Sequence, residues 1–285
     1  MNGVIVINKP QEFTSFDVVA VARKVLCTKK IGHCGTLDPN ATGVLPLLVG
    51  NATKAQDIIT NHDKAYRAQF KLNFASDTLD VWGDVKKTDE KVFTKSDIEN
   101  VMSDFLGQIM QTPPMYSAIK KDGVRLYDLA RQGIEVKREA RPVTIYSLEL
   151  TDFDEQDQSG TIYVSCSKGT YIRQLISDIA EHLGTSAIMT SLVRTTACGF
   201  ELCDAISLDA LREYAENGEI EKRLMPVESL FANYSELTVS EKQSVRFYNG
   251  NPLDIERTSL RDNMPVDGTV FRVKSNSQEF LGLGI

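Results

Sequence analysis

No apolar run in this 285-residue sequence approaches the roughly 20 residues that a membrane span requires, so no spanning helix is expected. A cysteine framework is missing too. Cys27, Cys34, Cys166, Cys198 and Cys203 are odd in number, scattered, and contain no C-x-x-C pair. That pattern argues against a disulfide scaffold or a zinc site and points to a reducing, cytoplasmic setting. Cys34 lies in the turn-rich stretch 30–46, where a small thiol is read as packing. No ligand spacing for a metal, and no repeat or low-complexity tract, interrupts the chain. Residues 1–10 run straight into a strand pattern, so no signal peptide is expected. Net positive charge is also lacking: the balance is −7.

That acidity is uneven. Residues 1–75 carry nine Lys/Arg against five Asp/Glu, and residues 113–141 carry seven against four. Residues 200–241 carry three against ten. A local basic face therefore remains open to a polyanionic partner despite the acidic total. A chain of this length buries about three quarters of its unfolded surface, enough for one large domain or a large and a small one.

What is present centres on residues 30–46, where three glycines and two prolines lie between a helical and a strand pattern. Such a segment has a shaped backbone. Asp38 precedes Pro39, which restricts it to extended geometry and aims its side chain. An Asp-Pro pair alone is commonly just a turn.

Around this loop the chain reads as mixed α and β. Residues 4–7 form a buried strand, and residues 16–26 a helix opened by a Thr14/Asp17 capping box. Residues 44–49 are strand, 51 to about 60 helix, and 64–72 an alternating half-buried strand. A helix from 94 to about 107, paired strands at 143–153 and 161–167, and a helix from 169–173 to Leu183 follow. In the last of these Ile172, Leu175, Ile176, Ile179, Ala180 and Leu183 recur at helical spacing, and Gly184 stops it. Arg173 falls beside that stripe at the helix start, where a cation gains nothing from the dipole. It needs an anion, and Asp38 is the candidate. Residues 206–230 read as helical and acidic, and residues 231–285 as a small β-rich unit.

The wording of the loop, G-H-C-G-T-L-D-P-N-A-T-G-V-L-P at 32–46, closely resembles the catalytic loop of the tRNA pseudouridine-55 synthases, the TruB family. The resemblance recurs in order. Lys9-Pro10 with Thr14, Ser15 and Asp17 is similar to the family's opening motif, and K-A-Y-R at 64–67 to its K-x-Y-R. Further matches are S-D-T-L-D-V-W-G at 76–83, Q-T-P-P-M-Y-S-A-I-K at 111–120, K-G-T-Y-I-R at 168–173 and, more loosely, L-V-R-T at 192–195. It covers residues 1 to about 200. It implies an α+β pseudouridine synthase fold, with a mixed, largely antiparallel central sheet flanked by helices. The catalytic domain would span 1–230, with an RNA-binding insertion at about 76–141. A short PUA-like RNA-binding domain would occupy 231–285.

The same resemblance implies isomerisation of uridine 55 in the tRNA T-loop, with base flipping and no cofactor or metal. Asp38, Tyr66 and Arg173 are the expected catalytic residues. An ordinary aspartate is ionised at neutral pH, so Asp38 could act on the sugar either as nucleophile or as base. Tyr66 would stack on the flipped base and move a proton at carbon 5. His33 would insert against the opened loop, and Leu192 would wall the pocket. Gly35, Thr36, Leu37, Tyr171, Lys9, Lys30, Lys120 and Arg125 are expected on the substrate, with Lys30, Lys120 and Arg125 at phosphates. The expected partner is the tRNA T-stem-loop, with no guide RNA, no membrane, and a monomeric protein. Competing readings are a tRNA-folding chaperone, a guide-RNA-dependent synthase, and a metal-dependent hydrolase built on His33, Cys34 and Asp38.

Overall fold

A computed structural model describes residues 1–59, 63–121 and 123–285. Among them one nine-stranded sheet forms the centre: β1 (Gly3–Lys9), β2 (Ile31–His33), β3 (Thr42–Val49), β4 (Lys64–Leu72), β5 (Gly107–Gln111), β6 (Arg141–Asp154), β7 (Ser159–Cys166), β8 (Ala187–Ala197) and β9 (Phe200–Glu201). The strand order is β1-β3-β8-β4-β7-β6-β5, with β2 beside β3 and β9 beside β8. Every ladder is antiparallel except the β3–β8 joint, where Thr42 faces Val193 and Gly43 faces Arg194. The sheet is thus mixed and largely antiparallel, as expected.

The two central patterns explain the layering. From Gly43 to Val49, β3 is buried throughout, because both of its faces are covered. In β4 the period is two: Tyr66, Ala68, Phe70 and Leu72 are buried while Arg67 and Gln69 are exposed. That inward face meets Leu175, Ile176 and Ile179 in one core cluster. Helices α1 (Ser15–Val25), α2 (Lys95–Met102), α3 (Leu126–Arg131), α4 (Ile172–His182) and α5 (Leu208–Glu216) accompany the sheet. The Thr14/Asp17 capping box is formed, and α1 lays Val18, Val19 and Ala22 on Ile5, Ile7, Leu45 and Leu47 of β1 and β3.

Three helical readings are corrected. Residues 50–55 form a 3-10 turn followed by the short helix Gln56–Ile59, and the expected end near Thr60 lies outside the described residues. The helix from 94 stops at Met102 and tightens into a 3-10 turn, after which Gly107 (φ 83°) starts β5. Within 206–230 only α5 is α-helical; Gly218 ends it at φ 70°, and 3-10 turns follow at Ile220–Arg223 and Val227–Phe231. In the 76–141 stretch, α2 packs Ile98 and Met102 into the main core, and β5 joins the sheet.

The C-terminal β-rich unit has β10 (Ser235–Val239) parallel to β11 (Phe271–Ser275), which is antiparallel to β12 (Phe280–Gly284), plus helix α6 (Glu241–Tyr248). Leu237, Val239 and Val273 form its small core. Phe280 stacks on Phe231 at 5.9 Å, so the unit is continuous with the core under β1 and β3.

A candidate active site on the loop between β2 and β3

The loop is held by its backbone and by two buried cations. Cys34 N–H donates to Pro46 O (3.0 Å), Leu37 N–H to Ser15 Oγ (3.0 Å), and Ala41 N–H to Asp38 O (3.1 Å). Lys9, fully buried at the end of β1, donates from Nζ to the carbonyls of Pro39 (2.8 Å), Pro10 (2.9 Å) and Phe13. Arg194, fully buried on β8, donates from Nε to Val44 O (2.8 Å), from Nη2 to Gly35 O (3.1 Å) and from Nη1 to Thr36 O (3.4 Å). Gly43 permits the close strand approach behind this: at φ 105°, a Cβ there would lie 2.2 Å from Arg194 O.

Asp38 and Arg173 meet as the sequence suggested. Arg173 Nη2 lies 2.9 Å from Asp38 Oδ2. The guanidinium is fixed from behind, with Nη1 donating to Thr78 O (2.8 Å) and Nη2 to Tyr116 O (2.9 Å). Its Nη1 is also 3.6 Å from Asp80 Oδ2. The start of α4 is set by buried Gln111: Tyr171 N–H donates to Gln111 Oε1 (2.8 Å), and Gln111 Nε2 donates to Tyr171 O (3.1 Å). Asp80 accepts from Thr78 Oγ1 (2.6 Å) and Trp82 N–H (3.1 Å). Burial raises its carboxyl above the ordinary range, against the pull of the Thr78 hydrogen bond and the Arg173 charge. Between Thr78 and Asp80, Leu79 holds φ 63° and accepts from Met189 N–H (3.0 Å), while Val81 N–H donates to Met189 O (3.1 Å).

Leu37, Tyr66, Ile172 and Leu192 belong to one core cluster around this pair. Tyr66 is buried, and burial pushes its hydroxyl up to about 12, with the Arg194 charge acting in the opposite sense. Tyr171 is half-buried, and its hydroxyl is raised, again by burial. Gly35 is half-buried and Thr36 exposed. His33 does not stand free as the expected wedge: it is buried, with Phe16 edge-on to its ring at 5.4 Å. Phe16, 65% exposed, is the aromatic that reaches solvent there. Burial and the Arg194 charge lower the His33 pKa, so the ring is neutral at physiological pH.

The basic residues divide. Lys9, expected on the substrate, faces inward, where its amino group donates to three carbonyls. Lys30 is exposed and donates to Asn51 Oδ1 (3.1 Å). Lys120 lines a crevice of about 250 Å³ with Lys121, Lys137, Arg138 and Arg141. Arg125 is exposed, donates to the Tyr127 hydroxyl and lies over its ring. Among the described residues no three His, Cys, Asp or Glu side chains gather as metal ligands, and no helix is long and apolar enough to cross a membrane.

Sequence reasoning assigned no role to Asp80 or Arg194. Asp80 had a signal, a second carboxylate in the 76–83 motif; its approach to Arg173 depends on the Leu79 bend. Arg194 had a weaker one, the lone charge in an otherwise uncharged strand pattern.

Comparison with known proteins identifies the family. Residues 23–172 match the family model "TruB family pseudouridylate synthase (N terminal domain)" and residues 173–232 match "tRNA pseudouridylate synthase B C-terminal domain". A Clostridium perfringens protein named tRNA pseudouridine synthase B is 44% identical over 100% of this chain and 95% of its own length. A Geobacillus thermodenitrificans protein of the same name is 42% identical over 88% of this chain and 85% of its own. Among solved structures, a chain of a Cbf5-Nop10-Gar1 complex superposes with a TM-score of 0.76 at 26% identity, covering 99% of this chain and 77% of that one. The match of motif, fold and full-length sequence places this chain in the TruB family of pseudouridylate synthases.

Proposed function

We propose that this protein isomerises uridine 55 in the T-loop of tRNA to pseudouridine, acting alone on the RNA. Family membership and full-length relatives named tRNA pseudouridine synthase B support the reaction class and the tRNA substrate. The observation that carries the site is Asp38: a half-exposed carboxylate held at 2.9 Å by a buried arginine. The reaction breaks the glycosidic carbon–nitrogen bond, turns the base, and joins carbon 5 to the sugar, with the carbon 5 proton leaving and one proton returning to nitrogen. Nothing is oxidised or reduced. Asp38 acts on the sugar, by addition or by removing a sugar proton, and Arg173 orients it. Tyr66, neutral at physiological pH, lies in the same cluster and is the group for proton transfer at carbon 5.

The test is release of tritium from tRNA labelled at uridine carbon 5, with the purified chain and no guide RNA, second protein or metal. Release at one uridine in the T-loop is the expected result. Dependence on an added RNA would favour the guided reading, and tRNA refolding without release would favour the chaperone reading.

A further inference from the structure

The loop that presents Asp38 is gripped at three carbonyls by one side chain that lies far away in sequence. Arg194 sits at the parallel joint between β3 and β8, opposite Gly43 on one side and opposite Tyr66 on the other. Directly opposed residues in a ladder project to the same face, so Arg194 and Tyr66 share one. We propose that Arg194 is a positioning residue of this active site, fixing the Asp38 loop through Gly35, Thr36 and Val44 while standing against Tyr66.

The chemistry of the position supports more than a packing role. A guanidinium keeps its charge at any working pH. Burying it is costly, and an apolar side chain of like size is usually at least as stable in such a place. Here the charge is met by carbonyl dipoles at 2.8 Å, 3.1 Å and 3.4 Å, in a fan that only a planar fork can supply. The three carbonyls flank Asp38 on both sides, so its backbone is fixed from Gly35 to Val44 while its side chain stays open to substrate. The same charge opposes the effect of burial on Tyr66, whose other charged or titratable neighbours are Cys166 of β7 and Asp38 itself. One residue therefore couples the two groups that the proposed reaction uses. Its other titratable neighbours are Lys9, His33, Cys34, Lys64 and Cys198.

This inference rests on the proposed roles of Asp38 and Tyr66, and its test keeps the two separable. Arg194→Met and Arg194→Lys are prepared in the full chain. Hydrogen exchange is measured for peptides covering residues 35–44, and single-turnover rates and tRNA affinity are measured in parallel. In Arg194→Met, exchange in the loop should rise about tenfold with β4 and β7 unchanged. The rate at saturating tRNA should fall about 100-fold, the scale of an ångström-level misplacement, with affinity within about twofold. Arg194→Lys, with charge but no fork, should lie between wild type and Met in both readouts. Wild-type exchange and rate in either variant would overturn the proposal, as would a loss of affinity that accounts for the whole loss of activity. If Arg194→Met does not fold, Arg194→Lys decides by the same readouts. Were Asp38→Asn to keep turnover, the proposed function would fail by itself, and loop exchange in the Arg194 variants would still report whether this residue holds the loop.

Discussion

Arg173 Nη2 lies 2.9 Å from Asp38 Oδ2, yet the arginine side chain is 6% exposed and the aspartate 46%. The pair is asymmetric. The cation is anchored by the carbonyls of Thr78 and Tyr116, and the carboxylate is the half that solvent or substrate can reach. A fixed cation behind a presented anion orients the carboxylate without neutralising the face it offers.

Asp38→Asn should therefore abolish pseudouridine formation while tRNA binding persists. The amide keeps the size but has neither the charge nor the nucleophilic oxygen. Filter binding and tritium release on the same preparation check this. Turnover at a measurable fraction of the wild-type rate would remove Asp38 from the chemistry.

Arg173→Lys should lower the single-turnover rate by about 100-fold, because an ammonium cannot hold Thr78, Tyr116 and Asp38 at once as the planar fork does. Near-normal rates would show that charge alone suffices at this position.

Asp80→Asn should cost activity with little change in fold. The amide carbonyl still accepts from Thr78 Oγ1 and Trp82 N–H, but the charge 3.6 Å from Arg173 is gone. With Asp38 then the sole carboxylate on Arg173 among the described residues, the pair should close more tightly and Asp38 should lose reactivity. Unaltered rates with unaltered melting temperature would make Asp80 a bystander.

Asp38 and Arg173 were legible as partners because each carried a local contradiction: a carboxylate aimed by proline, and a cation at the wrong end of a helix. The alternation of β4 and the capping box at Thr14 were legible for similar reasons, since period and cap are local properties. Lys9 was expected on the substrate, and its inward role was not legible because only the fold brings the Pro10, Phe13 and Pro39 carbonyls around it. The cover over His33 was not legible either, since Phe16 comes to lie edge-on to it only when α1 docks on the loop. Arg194 was invisible as a clamp: its three acceptors lie about 150 residues away in sequence, and register alone brings them together.

Lys9 makes a pH prediction of two opposite signs. Burial pushes its amino group down from 10.5 to about 8, with the Asp38 charge pulling it back up. Because the folded value lies below the unfolded one, the cost of the buried charge is present below about pH 8 and fades as pH rises toward 10.5, so the Lys9 contribution to stability grows across that window. Activity should move the other way. A neutral amine has two hydrogens for three carbonyls, so the loop loosens and the rate falls as pH rises through about 8. Lys9→Arg, charged throughout, should lack that fall. Single-turnover rates and denaturant unfolding from about pH 7 to about 9.5 test both signs. A wild-type rate that is flat over this range would refute the loosening.

An acidic protein that binds tRNA must do so through a local patch, and the structure separates two sets of cations. Lys120 lines the basic crevice with Lys121, Lys137, Arg138 and Arg141, while Lys30 and Arg125 are exposed and hydrogen-bonded to the neutral groups of Asn51 and Tyr127. In the acidic stretch, Arg212 pairs with Asp209, Lys222 pairs with Glu219, and Arg223 lies on Tyr214. Two of these three charges are already answered by carboxylates, so they offer less to a phosphate. Replacing Lys30, Lys120 and Arg125 with glutamine should therefore weaken tRNA binding. It should also flatten the log–log salt dependence by about 0.7 to 0.9 for each phosphate that the protein no longer neutralises. The same change at Arg212, Lys222 and Arg223 should leave both nearly unaltered. Filter-binding titrations over a salt series separate the sets, because a packing defect lowers affinity without changing the slope. Equal losses from both sets would mean that the acidic stretch also faces the RNA.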